Sequence, residues 1–256
     1  MPSNGAGKRH AEVSGEASPP TKRSRPVEWA VQVLLKEDLK GPLGKSAEDM
    51  FHNALSGIAR DDIRGHFVTE GHQTLAVVDG TEVIAAANIV IFYDGDVCEV
   101  VLIAVSRKRQ GLARLLMNHI KREAASWGVN YIVLKGSNTD EATAFFTGSG
   151  FSYHDPERHL SIAYLERRLA QFDPKSCKLM VCPLFDDPQF VTAEMREVSK
   201  KAKLKARVKV LFGVQKEVWA RGTVVEVKGL RIKVKFDGRW DDEWLPMVSP
   251  RLRWGR

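Results

Sequence analysis

From Val27 to about residue 150 the apolar positions of this chain switch between strand-like runs and helical stripes, and towards the end they fall in short strands alone. The first 26 residues show neither period. They are rich in Gly, Ser, Pro, Lys and Arg, a composition too poor in apolar surface to fold, and read as a disordered basic tail. From Val27 the chain becomes globular, and the apolar run over 29–35 predicts a first strand. Ser46 followed by Asp49 reads as a capping box that opens a helix through Arg60, with Met50, Phe51, Ala54, Leu55 and Ile58 on one face. Three strand-like runs follow at 74–78, 82–92 and 97–105. The turns between them carry Asp79-Gly80 and Asp94-Gly95, dipeptides that favour tight hairpins, so an antiparallel meander is expected.

Residues 112–127 then read as an amphipathic helix. Ala113, Leu116, Met117, Ile120, Ala124 and Trp127 lie on one stripe, and Gly128 ends it. A strand at 131–134 runs parallel to its predecessor, because a helix intervenes. A short helix covers 140–147. Residues 186–206 are helical or linker-like and increasingly basic. Beyond them, short strands at 207–212, 218–227, 230–236 and 240–245 with glycine turns suit a small all-β barrel, and Pro246 and Pro250 break the pattern. The expected organisation is a basic tail (1–26), an α+β domain (27–190) with a mixed central sheet flanked by helices, a linker (191–202) and a small barrel (203–256).

Charge sharpens this division. The net +7 splits into +3 over 1–26, −6 over 27–198 and +10 over 199–256. Basic ends suit nucleic acid or another polyanion, and the acidic middle suits a cationic substrate. Lys8-Arg9 and Lys22-Arg23-Ser24-Arg25 form two basic clusters twelve residues apart, the pattern of a bipartite nuclear-import signal. No apolar run approaches the ~20 residues needed to cross a bilayer, which excludes an integral membrane protein. Three cysteines, Cys98, Cys177 and Cys182, cannot all pair and have no zinc spacing with histidine, so a reducing compartment and no metal are expected.

The chemistry concentrates in residues 98–118. A buried strand with one carboxylate, Glu99, leads through a short basic loop into Gly111-Leu112-Ala113, where a helix begins at once. A helix N-terminus presents unpaired amides and a partial positive charge, so a pyrophosphate fits there. Gly111 lets backbone approach closely, and Lys108 and Arg109 add charge. Lys108-Arg-Gln-Gly-Leu-Ala113 resembles the acetyl-CoA loop of the GNAT acyltransferase superfamily. Residues 74–77, 98–105 and 116–121, Asp140-Glu141, Phe146 to Phe151 and Ala163-Tyr164-Leu165 resemble, in order, its histone lysine acetyltransferase branch of the PCAF type. The likeness covers about 66–182.

The resemblance implies the GNAT fold and acetyl-CoA as cofactor. It puts Glu99 on the general base, and Ile103, Ala104 and Val105 on the strand that holds the acetyl carbonyl and pantetheine arm. It also puts Lys108, Arg109, Gln110, Gly111, Leu112, Ala113 and Arg114 on the pyrophosphate loop, and Ala142 and Phe145 on the helix lining the cofactor. The loop is two residues shorter than that branch has, Lys108 replaces a Gln or Arg, and Glu141 replaces an aromatic. A lysine amine, with a pKa near 10.4, is neutral in only about one molecule in a few thousand at neutral pH, so attack on a thioester needs a base. Among Val97, Val100 and Val101, Glu99 is expected to be desolvated toward a neutral pKa and to act through a water.

The C-terminal segments 218–225 and 234–246 resemble Tudor and chromo-barrel domains, which implies an aromatic cage for methylated lysine or arginine. Phe212, Trp219, Phe236 and Trp240 are the cage candidates, with Asp237 as an anionic wall, and Phe236 also suits barrel core. The local charge points equally to DNA or RNA backbone. The sequence thus supports a nuclear acetyltransferase acting on histone or another lysine-containing protein, tethered to chromatin. The rival readings are a GNAT enzyme for small amines or protein N-termini and a catalytically inactive chromatin-binding protein.

Overall fold

The computed structural model describes residues 29–55, 57–92, 96–106, 110–136, 139–155, 159–160, 165, 169, 178–191, 193–211, 218–238, 240–249 and 251–255. The basic tail with its two clusters, Asp94-Gly95, Lys108, Arg109, Ala163-Tyr164, Cys177 and Phe212 lie outside the described residues.

The chain runs β1 (Val31–Leu34), α1 (Lys36–Lys40), α2 (Pro42–Ala54), α3 (Arg60–Val68), β2 (His72–Asp79), β3 (Glu82–Ile91), β4 (Val97–Val105), α4 (Leu112–Ser126), β5 (Tyr131–Gly136), α5 (Asp140–Gly148), β6 (Ser152–Tyr153) and β7 (Lys178–Pro183). Two 3-10 turns and α6 (Ala193–Lys201) lead into β8 (Arg207–Leu211), β9 (Trp219–Lys228), β10 (Arg231–Phe236), β11 (Glu243–Pro246) and β12 (Leu252–Trp254). Strands β1 to β7 form one mixed sheet in the order β1-β2-β3-β4-β5-β7-β6, in which β4 and β5 are parallel and the other pairs antiparallel. The other five form a curled antiparallel half-barrel, ordered β11-β10-β9-β8-β12.

The expected meander forms, and Gly80 takes the left-handed φ of 63° that its two-residue turn demands. The helical region before it differs. Helix α2 starts at Pro42 behind Gly41, not at Ser46, whose hydroxyl accepts from the Val83 amide at 2.8 Å. It stops at Ala54, and a separate α3 begins at Arg60. Arg60 and Arg64 both reach buried Glu48 (3.0 Å from Arg60 Nη1, 2.7 and 3.0 Å from Arg64 Nε and Nη2), so α3 folds back on α2. The hydrogen bond from Arg64, above all, holds the Glu48 carboxyl below its ordinary pKa against the cost of its burial. The stripe of α4 buries Leu116, Met117, Ile120 and Ala124, but Trp127 is exposed at the helix end, where Gly128 turns the chain away.

Three apolar layers result. One face of the large sheet packs on α4 and α5 through Leu116, Ile120, Phe146 and Phe151. The other face is shared: α1 to α3 cover Ala76, Ala86, Leu102 and Ala104, while the half-barrel covers Val97, Tyr131, Val133 and Val181. Half-barrel residues Val208, Val210, Val224, Ile232, Val234 and Leu245 therefore share one core with the large sheet.

A buried polar knot fastens this junction. Arg251, fully buried, spans both oxygens of Glu243 at 3.1 Å each and donates to the Leu211 carbonyl at 3.0 Å. Its Nη1 also lies 3.8 Å from Asp96, which accepts from Ser249 Oγ and Asn130 Nδ2 at 2.8 Å each. Removing one partner of such a pair leaves buried charge uncompensated. Arg251→Leu is expected to cost about 3 kcal/mol or more, read by urea unfolding, and wild type is expected to unfold both sheets in one transition.

Candidate active site

The site follows from where β4 stops pairing with β5. Register runs from Val97↔Tyr131 to Val100↔Leu134, and no β5 residue pairs with β4 beyond Val100. On its other side β4 stays paired with β3 as far as Val105, with an irregularity between Asn88 and Ile89 where Asn88 faces Leu102 and Ile89 faces Val100. The extra residue, Val101, is a bulge that bends the strand at that point. The β5-facing edge of residues 101–105 is thus an open backbone edge inside the sheet. Ile103 and Val105 are half-buried against the α4 side and Ala104 is buried on the other.

Helix α4 begins beside this opening. Gly111, its N-cap, has φ 76° and brings no capping side chain, and a Cβ there would meet nothing within 4 Å. The first-turn amides of Leu112, Ala113 and Arg114 thus start the helix without a side-chain cap from Gly111. Gln110 and Arg114 are exposed, Ala113 is half-buried and Leu112 is buried as the helix's first anchor. On the far side, Thr139 caps α5 by accepting from Ala142 at 3.4 Å, and Ala142 and Phe145 pack half-buried against the α4 layer.

Glu99 sits in the paired part of β4, opposite Val90 on one side and Val133 on the other, and is fully buried. Strand alternation sets it on the face shared by α1–α3 and the half-barrel, at the seam between their two apolar layers. The sequence suggests valines alone around it. The fold adds a cation: Lys135 Nζ lies 3.6 Å from Glu99 Oε1. Sequence reasoning missed Lys135 because its partner lies on another strand, one register step past Leu134.

A row of polar groups lines the same face. Asn88 donates to Thr74 Oγ1 at 3.1 Å and lies 2.7 Å from His72 Nδ1, while His66 of α3 stacks on His72 at 5.4 Å between ring centroids. None of these was singled out in the sequence. Burial first, then the charges of His72 and Lys135, push the His66 pKa below its ordinary value of 6.5.

In the half-barrel the pleat separates the cage candidates. Phe236 points inward, buried and tight against Gly222, whereas Trp219 lies on the outer face under the Arg253 guanidinium, 4.1 Å from its ring. Asp237 is taken by a bidentate ion pair with Arg207, and Trp240 is 39 % exposed in a loop. Among the described residues, no single face gathers Trp219, Phe236, Asp237 and Trp240.

A group whose folded pKa is depressed carries stability above its unfolded pKa that is lost as pH falls through it. Since His66 takes up a proton less readily when folded, the protein is expected to lose stability as pH drops below about 6.5. His66→Gln is expected to flatten that slope in urea melts taken from pH 7.5 down to 5.5.

Residues 34–151 match the family model described as the acetyltransferase (GNAT) family. Among solved structures, Tetrahymena GCN5 superposes with a TM-score of 0.53 at 18% identity, covering 62% of this chain and 96% of that one. The Escherichia coli ribosomal-protein-S18-alanine N-acetyltransferase gives 0.44 at 18% identity over 61% of this chain and 94% of that one. The Thermoplasma acidophilum PaiA N-acetyltransferase in complex with coenzyme A gives 0.45 at 13% identity over 61% and 99%. No curated protein matches the chain. The first likeness shows the fold.

The cofactor of the matched family is acetyl-CoA. Two features of this chain fit it: an open strand edge along residues 101–105 that an extended pantetheine arm can complete, and a helix start whose first-turn amides have no side-chain cap and can take a pyrophosphate. Fold, open edge and family match converge on residues 34–151, the stretch that matches the GNAT family model and carries the GNAT fold.

Proposed function

We propose that this chain is an acetyl-CoA-dependent protein lysine N-acetyltransferase that acts on histone tails in the nucleus. The observation that carries the reading is Glu99, a buried carboxylate one residue before the point where β4 and β5 part. Bound acetyl-CoA supplies the acetyl thioester. Residues 101–105 hold the arm along their open edge, the Ile103 amide polarises the acyl oxygen, and the amides of 110–114 carry the pyrophosphate, with Ala142 and Phe145 lining the far wall. Glu99 takes a proton from the incoming ammonium, directly or through one water, and so makes the amine nucleophilic.

Two further features support a chromatin substrate. The acidic middle of the chain, at −6, suits a cationic tail, while the two basic clusters near the N-terminus suit nuclear import. On the outer face of the half-barrel, Arg253, Lys209 and Arg221 stand directly opposite one another across β12, β8 and β9, all exposed. Like charges in register cost stability, which a polyanionic backbone laid across them would relieve. We therefore read this Tudor-like module as a nucleic-acid tether.

With histone peptides, Glu99→Gln is expected to lower kcat at least ~100-fold while leaving the KM for acetyl-CoA within twofold, because the amide keeps the shape but accepts no proton. Wild-type activity on small amines but not on peptides would contradict the substrate assignment. Gly111→Val forces a β-branched residue into a left-handed conformation. It is expected to weaken CoA binding about tenfold in calorimetry, a loss of some 1.4 kcal/mol, where Glu99→Gln does not.

A further inference from the structure

Lys135 brings an ε-amine to the carboxylate that this site would use on an ε-amine. Its Nζ is 3.6 Å from Glu99 Oε1, and the two side chains are 22% and 1% exposed. The residue follows Leu134, the last β5 position paired with β4, so it stands where the two strands part. Alternation along β5 sets it on the same face as Tyr131 and Val133, the face that carries Glu99. Among the described residues, Lys121, Lys178 and Lys200 are held elsewhere. Lys121 is also buried, but its Nζ is held by the Ser149 carbonyl on the α4 side of the sheet. Lys200 pairs with Glu197 on the exposed α6, and Lys178 lies over the Tyr153 ring.

We propose that Lys135 is an acetylation site of the protein itself, modified within the same molecule at the centre that Glu99 serves. The inference rests on the reading of Glu99 as base and of the β4–β5 opening as the acyl site. The Lys135 ammonium gives one proton to Glu99, and the freed lone pair forms the bond from Nζ to the acetyl carbon. The bond from that carbon to the CoA sulfur breaks, and the sulfur leaves with the bonding pair. Nζ loses a second proton as it becomes an amide nitrogen. One of the two protons ends on the CoA thiol and the other goes to solvent through Glu99, so acetyl-CoA and a lysine ammonium become CoA, acetyl-lysine and one proton. A tethered amine needs no encounter step, which favours reaction in the same molecule over attack by a second copy on a mostly buried side chain.

The product has no charge beside Glu99. Modification would thus remove the internal amine and leave the carboxylate to an external one, so that the first turnover primes the site.

The test uses the full chain incubated with acetyl-CoA, with the Lys135 peptide followed by mass spectrometry after chymotryptic digestion. Acetyl incorporation at Lys135 is expected to be first order and independent of protein concentration. It is expected to fall at least ~100-fold in Glu99→Gln, which still binds CoA. A second reading needs no acetyl transfer. CoA at tenfold over its Kd should slow labelling of Lys135 by an amine-reactive reagent about tenfold, and leave Lys200 unaffected. A protein that binds CoA and acetylates peptides through Glu99, yet leaves Lys135 unmodified and unshielded, overturns this inference and keeps the proposed function. Incorporation that rises with protein concentration overturns it as well, and a chain that binds no CoA overturns both.

Discussion

The parting of two parallel strands is the constraint on which this molecule turns. At their start β4 and β5 are locked: the amides of Asn130 and Tyr131 both donate to the Asp96 carbonyl at 3.1 Å, and Asn130 also holds the Asp96 carboxylate. Four residue pairs later the bulge at Val101 keeps β4 on β3 and takes it off β5. A strand edge inside a sheet is costly to leave unsatisfied, since each backbone amide and carbonyl wants a partner. An extended amide-bearing arm satisfies it, which is why the geometry selects a pantetheine-like cofactor. Everything else chemical is arranged around that wedge: Glu99 just below it, Lys135 at its mouth, Gly111 and α4 beyond its open end.

The half-barrel bears on the same constraint from behind. Its core is continuous with the large sheet through Tyr131, Val133, Val181 and Phe185, and Ser249 and Arg251 reach the very Asp96 that locks the strands. A fully buried guanidinium is stable only because Glu243 takes it bidentately and Leu211 and Asp96 satisfy what remains. The C-terminal sheet is therefore part of the scaffold of the site. Its cationic outer face, Arg253-Lys209-Arg221, is carried on the same body as the carboxylate that would deprotonate a substrate.

Local pattern made much of this legible. The apolar runs between turn signals located β2 to β5, the stripe from Leu116 to Ala124 located α4, and a lone carboxylate in an apolar strand next to a glycine-opened helix singled out Glu99 and Gly111. What the sequence hid was lateral. The break of the first helical region into α2 and α3 depends on Glu48 meeting Arg60 and Arg64, contacts made only once the chain has folded back. Strands β6 and β7 are recognisable only by pairing across a long connection. Lys135 reads as an ordinary strand-end cation until register brings it to Glu99. The cage candidates show a related point: Trp219 and Phe236 have the right chemistry, but the pleat sends them to opposite faces, and composition carries no record of that.

The central claim is that the open β4 edge and the start of α4 receive one cofactor between them. A crystal structure of the full chain with CoA tests it most directly. The account predicts the pantetheine arm hydrogen-bonded along residues 101–105, between β4 and β5, with the pyrophosphate on the amides of 110–114. CoA bound elsewhere, or β4 and β5 closed on each other through Val105 with no room for the arm, would contradict it.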